Sequence, residues 1–265
     1  MSDLHEILAL TADVRAALDH AAVRGWREDP REMQAVAAPV VAAPVALPLP
    51  PPPRGDPWAK LAAEARSARD PAAGLAAVRA DLGDCRRCPL HKDRAKIVFG
   101  VGDPAAHLVI VGEAPGYHED QQGEPFIGPA GQMLDKMLEN VLGLPRSWVY
   151  ILNVVKCKPP KNRSPLAEEI AACRPFLEGQ IEAIAPKAIL VLGGVAFQAL
   201  FGVPGTAQGR GTWHEYQGIP TLPTFHPEHL LRTPDAKRLT FADLKLLRGR
   251  YDELGGKRPA FQLGS

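Results

Sequence analysis

His107-Leu-Val-Ile-Val-Gly112-Glu-Ala-Pro-Gly116 passes from a short apolar run straight into a glycine- and proline-bounded turn. A continuous run of branched apolar residues, too short for a helix and closed by turn formers, predicts a strand buried on both faces. The pattern recurs at Trp148-Val-Tyr-Ile-Leu-Asn153 and Ala188-Ile-Leu-Val-Leu-Gly193, and more weakly from Ile219 to Phe225. Helical stretches separate these runs, at about Ala130–Leu142, Pro165–Ile184 and Gly194–Phe201, with a last one at about Lys237–Leu254. Strands alternating with helices imply an α/β fold with a mostly parallel sheet covered on both faces. In such sheets ligands bind at the carboxyl ends of the strands. The first two strands and the weak fourth run into polar or glycine-rich residues there: Gly112 to Gly116, Asn153, and His226-Pro227.

Outward from these strands the chain changes character. A helix from Pro71 to Leu82 leads into Cys85, and the main domain is expected over residues 58–254, with a tail at 255–265. From Ala35 to Pro57 the sequence is nearly all Ala, Val, Leu and Pro, ending in Pro50 to Pro53, which predicts an extended linker at 35–57. Residues 3–24 place Leu4, Ile7, Leu8, Val14 and Leu18 at mostly helical spacing, so residues 1–34 are expected to be a tethered helical appendage. A protein partner is one use for such an appendage; a solvated surface helix is the plainer one.

The 265 residues are 46% hydrophobic and 23% charged, which suits a globular protein and excludes a largely disordered one. No apolar run approaches the ~18 residues of a membrane span, and no basic stretch leads into an apolar core at the N-terminus. A cytoplasmic monomer without membrane contact is the expectation. Net charge is +1, but residues 1–35 hold seven acids against four arginines, so the remainder carries +4. Its cations gather at Arg86 to Lys96, at Lys156 to Arg163, and at Arg232 to Arg238, which suits a surface that tracks phosphates.

Four cysteines fall in the main domain as Cys85-x2-Cys88, Cys157 and Cys173. A disulfide framework is not expected in a chain of this kind. The CxxC pair sets two thiolates beside one metal centre, and both tetrahedral zinc and a [4Fe–4S] cluster accept four cysteinates. Spacing alone does not separate the two.

Further motifs stand in order along the chain. Gly112-Glu113-Ala114-Pro115-Gly116 is followed by Glu119-Asp120 and by Pro125-Phe126-Ile127-Gly128-Pro129-Ala130-Gly131. Asn153 precedes Lys156-Cys157-Lys-Pro-Pro-Lys-Asn-Arg163, and His226-Pro227 precedes Leu230-Leu231-Arg232. Each motif alone is weak, since glycine turns, single phenylalanines and loop histidines are common. Together they closely resemble the family 4 uracil-DNA glycosylases, over Leu82 to Arg250. Residues 1–57 lie outside the resemblance.

The resemblance implies a three-layer α/β/α sandwich around a short, mostly parallel sheet. It also implies a [4Fe–4S] cluster on Cys85, Cys88, Cys157 and Cys173, structural rather than redox-active. The implied activity is hydrolysis of the N-glycosidic bond of deoxyuridine in DNA, as a monofunctional repair glycosylase that leaves an abasic site. Such an enzyme must take the base out of the stack. Phe126 matches the ring on which the base stacks, with Gly112 and Gly116 shaping the turn around it. Asn153 matches the base reader: its amide offers one donor and one acceptor, which fits uracil O4 and N3–H and mismatches cytosine. Glu119 matches the gate that excludes the thymine methyl. His226 would donate to uracil O2 as negative charge develops. Related family 1 enzymes orient the attacking water with an aspartate where this chain has Ala114, so Glu113 is the candidate for that task. Leu230 is expected to act as the wedge filling the gap of the flipped base, and Arg163 and Arg232 to contact phosphates. Three rivals are weaker. A covalently trapped glycosylase needs an arginine-rich insertion absent after Gly131; a DNA-binding module without activity does not need the Glu113, Phe126, Asn153 and His226 set; and nothing beyond the cysteines suggests a redox protein.

Overall fold

The computed structural model describes residues 70–203, 205 and 209–257. All of them belong to one of the two units into which the chain divides, Val45–Ser265. The expected appendage, linker, first residues of the main domain and most of the tail lie outside the described residues.

Six strands form one sheet: β1 (Val101–Gly102), β2 (Leu108–Gly112), β3 (Tyr150–Asn153), β4 (Ala188–Leu192), β5 (His214–Tyr216) and β6 (Ile219–Thr224), in the order β1-β3-β2-β4-β6-β5. The four inner strands are parallel, with Gly112 level with Asn153 and Leu192 level with Thr224. The short outer strands β1 and β5 are antiparallel to their neighbours. Among the described residues seven α-helices accompany them: α1 (Pro71–Leu82), α2 (Tyr117–Gln122), α3 (Pro129–Met137), α4 (Ala167–Ile184), α5 (Gly194–Phe201), α6 (Pro227–Arg232) and α7 (Ala236–Glu253).

Alternation along the strands explains the three layers. Val109, Val111, Leu152, Ile189 and Val191 point to one face and pack with α1, α4 and α5 through Leu75, Phe176 and Phe197. Leu108, Ile110, Ile151, Leu190 and Leu192 point to the other face and pack with α3, α6 and α7 through Leu134, Leu230 and Leu244. Every residue of β2, β3 and β4 is buried, and each fully buried aliphatic side chain contributes roughly 1.5–3 kcal/mol of transfer free energy. The expected α/β/α sandwich is what forms. Among the described residues no helix is long and apolar enough to cross a membrane.

Two helices lie where the sequence predicts none. α2 is short and polar, and is held by its own Glu119. α6 begins at the His-Pro pair: His226 is its N-cap, accepting at Nδ1 from the Glu228 amide at 3.2 Å, and Pro227 takes the first helical position.

Candidate active site

The loops leaving β2, β3 and β6 enclose a cleft of about 250 Å³ at the carboxyl edge of the sheet. The turn after β2 supplies Glu113 and Gly116, the end of β3 supplies Asn153, and the start of α6 supplies His226. Glu119 and Phe126 form another part of the wall, with Arg163 and Arg232 also lining it. Of the expected site residues, Gly112, Leu230 and the four cysteines do not line the cleft.

Asn153 is 1% exposed, yet neither its Oδ1 nor its Nδ2 meets a hydrogen-bond partner in the protein. A buried, unpaired polar atom costs about 1–3 kcal/mol, and this amide carries that cost at both of its polar atoms. Gly112 lies level with it on β2, and a Cβ there would overlap both Asn153 Oδ1 and the Phe126 ring. Gly112 therefore acts from below, as the space that lets both side chains seat.

Phe126 is buried and holds a left-handed backbone, φ 53°, which a bulky residue rarely adopts. Two neighbours keep it there. Glu119 accepts from the next two amides, Ile127 and Gly128, both at 3.0 Å through Oε1. Gly131 faces the Phe126 carbonyl so closely that a Cβ would overlap it. Gly131→Ala is expected to cost about 1–3 kcal/mol through overpacking, read as a lower urea midpoint with unchanged slope. An unchanged midpoint would remove this account of the Phe126 turn.

The Phe126 and His226 rings lie 5.6 Å apart, tilted by 34°. Desolvation lowers the His226 pKa from 6.5 to about 4, outweighing the carboxylates of Glu228 and Glu119. Because Nδ1 accepts from the Glu228 amide, the neutral ring carries its proton on Nε2. The site thus presents a neutral N–H donor at neutral pH.

Glu113 is half-buried, and its pKa is raised mainly by desolvation, with the nearby Glu228 adding to the rise and a hydrogen bond from Ser164 opposing it. A raised carboxylate is a better proton acceptor once ionised. Glu119 Oε2 also accepts from the Gly116 amide at 3.1 Å, so its carboxylate braces three amides of the cleft wall. Arg163 is clamped on Glu169 at 2.8 and 2.7 Å, which fixes the cleft rim. Arg232 is mostly exposed and only loosely paired with Glu228, at 3.4 Å.

The expectation for Leu230 needs correction. It is 1% exposed and packs in the core beneath α6, whereas Leu231 is 44% exposed. The turn of α6 gives the buried face to Leu230 and leaves Leu231 exposed.

The four cysteines form no disulfide: Cys157 and Cys173 are buried, Cys85 and Cys88 half-buried, all against one core cluster. They share one electrostatic neighbourhood, since Cys85 and Cys88 raise the pKa of Cys157, and Cys157 and Cys88 raise that of Cys173. Burial is the largest cause in each case and pushes Cys173 up to about 12. Among the described residues no three His, Cys, Asp or Glu side chains form a group that could hold a metal ion. Arg94 reaches into the cysteine region, donating to Cys157 Sγ at 3.3 Å and to the Cys85 carbonyl at 2.6 Å.

One polar residue here escapes sequence reasoning. Lys156, counted above in a surface basic cluster, is 0% exposed and donates from Nζ to the Asn153 carbonyl at 2.7 Å. Burial lowers its pKa to about 8, against the opposing pull of Cys173 and Cys157. Its position three residues after Asn153 and one before Cys157 is the only signal the sequence carried.

The uracil DNA glycosylase superfamily model matches residues 99–245. A type-4 uracil-DNA glycosylase of Sulfurisphaera tokodaii is 38% identical over 66% of this chain and 83% of its own length. Its counterpart in Archaeoglobus fulgidus is 38% identical over 67% of this chain and 92% of its own length. That of Thermotoga maritima is 43% identical over 61% and 86%.

Proposed function

The chain belongs to the uracil DNA glycosylase superfamily, enzymes that excise uracil hydrolytically in DNA repair, and from that premise we propose how its cleft does so. The observation that carries the reading is the Asn153 amide, buried, unpaired and lining the cleft with Phe126. A flipped uracil stacked on Phe126 gains roughly 1–3 kcal/mol. Its O4 and N3–H then satisfy Asn153 Nδ2 and Oδ1. Glu119, held rigid by three amides, forms the fixed wall that leaves no space for a C5 methyl.

As the glycosidic bond breaks, the electron pair goes to the base and negative charge grows on O2. The Nε2–H of neutral His226 donates to that oxygen, where it is worth more than in water. Glu113 accepts a proton from the water that attacks the sugar carbon, and the abasic site remains. Leu231 fills the gap in the duplex, and Arg232 holds a phosphate at the rim. DNA is the partner on this reading.

Cys85, Cys88, Cys157 and Cys173 would hold a [4Fe–4S] cluster. Supporting this is the donor set itself: four cysteines packed against one core cluster, of which Cys88, Cys157 and Cys173 have their pKa raised chiefly by burial, an opposition to ionisation that a bound metal group would overcome. In a four-iron cluster each cysteine binds a different iron, so the thiols need not converge on one point. Held by these four residues, such a cluster would tie the loops after Asn153 and Leu82 to α4. Cys157→Ala is expected to lower bound iron and to reduce the unfolding temperature by several degrees; a variant equally stable to heat would argue against a structural cluster.

The test of the reading is incubation of purified protein with a labelled oligonucleotide carrying one uracil, followed by alkali. Breaks at the uracil alone are expected. An intact strand from folded, iron-loaded protein would overturn the assignment.

A further inference from the structure

A buried carboxylate in the middle of a helix needs partners, because its charge is costly away from water. Asp243 stands midway along α7 and is 2% exposed. Its contacts lie on the end of β6 and on the turn before β5. Oδ2 accepts from the Thr224 hydroxyl at 2.7 Å, and Arg210 Nε pairs with the same oxygen at 3.5 Å. Gly211, whose amide donates to the Pro223 carbonyl at 3.0 Å, comes so close to Oδ1 that a Cβ would overlap it. The Arg210 guanidinium in turn lies over the Phe225 ring, 5.2 Å from its centroid. These contacts converge on Pro223, Thr224 and Phe225, which lead directly into His226.

The backbone alone holds that stretch thinly. Among the described residues β6 has only the three residues of β5 beyond it, and its Pro220 and Pro223 have no amide hydrogen. On its inner side the Gly193 amide donates to the Thr224 carbonyl at 3.0 Å, and a Cβ on Gly193 would stand 3.1 Å from His226 Cβ. Where the end of β6 lies therefore decides where the His226 ring lies.

We propose that Asp243 is a positioning residue for the His226 donor: its carboxylate anchors the end of β6 through Thr224 and, through Arg210 and Phe225, braces the turn that carries the imidazole. The inference rests on the leaving-group role given to His226 above. A donor to a developing oxyanion acts only from the right place, and a misplacement of about 1 Å can cost on the order of a hundredfold in rate. A loosened anchor slows the chemical step and leaves base reading by Asn153, on β3, as it was.

Thr224→Val keeps the branched shape and removes the hydroxyl, Thr224→Ser keeps the hydroxyl, and Asp243→Asn keeps the shape and removes the charge. The measurements are the single-turnover rate on a uracil oligonucleotide and the Kd of an uncleavable analogue, for each variant alone and combined with His226→Ala. Thr224→Val is expected to slow the rate about tenfold, Asp243→Asn about fivefold and Thr224→Ser less than about threefold, with the Kd unchanged throughout. In the His226→Ala background these losses are expected to vanish, since the anchor then has no donor to place. An unchanged rate in either Thr224→Val or Asp243→Asn overturns the proposal, and if Thr224→Val fails to fold, Asp243→Asn decides it alone. So does a loss carried by the Kd instead of the rate, or an equal loss with and without His226, which is what a merely structural carboxylate gives. A His226→Ala variant as fast as the wild type is a separate result: it overturns the leaving-group reading, and the positioning role with it.

Discussion

His226→Ala is expected to slow uracil release about a hundred- to a thousandfold, the usual loss when one donor to a developing oxyanion is removed. Single-turnover rates on a uracil oligonucleotide would measure it, with the Kd for an uncleavable analogue little changed. Loss of binding without loss of rate would move His226 from the leaving group to the substrate. The pH dependence adds a second check. The His226 pKa is lowered to about 4 in the folded protein, so the ring stays neutral and its donor stays in place from pH 8 to well below 6. The Glu113 pKa is raised, chiefly by desolvation, so on the proposed roles the acid limb of the rate is expected to come from that carboxylate. Glu113→Gln should lower the rate and flatten the limb. Stability runs by the same linkage. His226 binds its proton less readily in the folded than in the unfolded chain, so falling pH favours unfolding between about 6.5 and about 4. Above that window His226 contributes no pH dependence.

Asn153→Asp is expected to reduce excision of uracil by at least about a hundredfold. The substitution keeps shape and volume, but puts a second acceptor where uracil O4 needs a donor. Two costs add: the lost hydrogen bond, and an acceptor facing an acceptor in a buried slot. Cytosine, with an amine at C4, becomes the better match, so the ratio of cytosine to uracil release should rise even as both rates stay low. Competition between two labelled oligonucleotides reads that ratio directly. Equal excision of uracil by the variant and the wild type would mean that Asn153 does not read the base, and the unpaired amide would need another ligand. Because both amide atoms are unpaired in the protein, the wild-type site carries their desolvation cost in advance and, on the proposed reading, recovers it when the base binds.

The inner strands were legible because they are buried on both faces: Leu108 to Val111 and Ala188 to Leu192 have no polar residue to interrupt them. β1 and β5 were not, since two and three residues show no period, and pairing with β3 and β6 is what makes them strands. α2 was hidden for a different reason. Tyr117 to Gln122 is polar, and its helix is held by the Glu119 carboxylate reaching back to the Gly116 amide. His226-Pro227 was legible in principle as a cap followed by proline, yet it reads equally well as a loop. Leu230 and Leu231 show the limit most plainly. Both are leucine, and only the packing of α6 decides which one faces the core. Lys156 was misplaced because lysine is so seldom buried, and its partners lie at the end of β3 and on the distant α4, which no local pattern connects.

The outermost strands carry a consequence for the protein's behaviour in crowded solution. An open sheet offers its last strand as a template on which another chain can add, and from there insoluble fibres grow. Here the parallel core is never the last strand: two residues of β1 close one side and three of β5 the other. Inside β5, the adjoining strand β6 also contains Pro220 and Pro223, which have no amide hydrogen to give. Among the described residues so little ladder remains on either flank that a second chain meeting the sheet edge to edge finds almost nothing to extend.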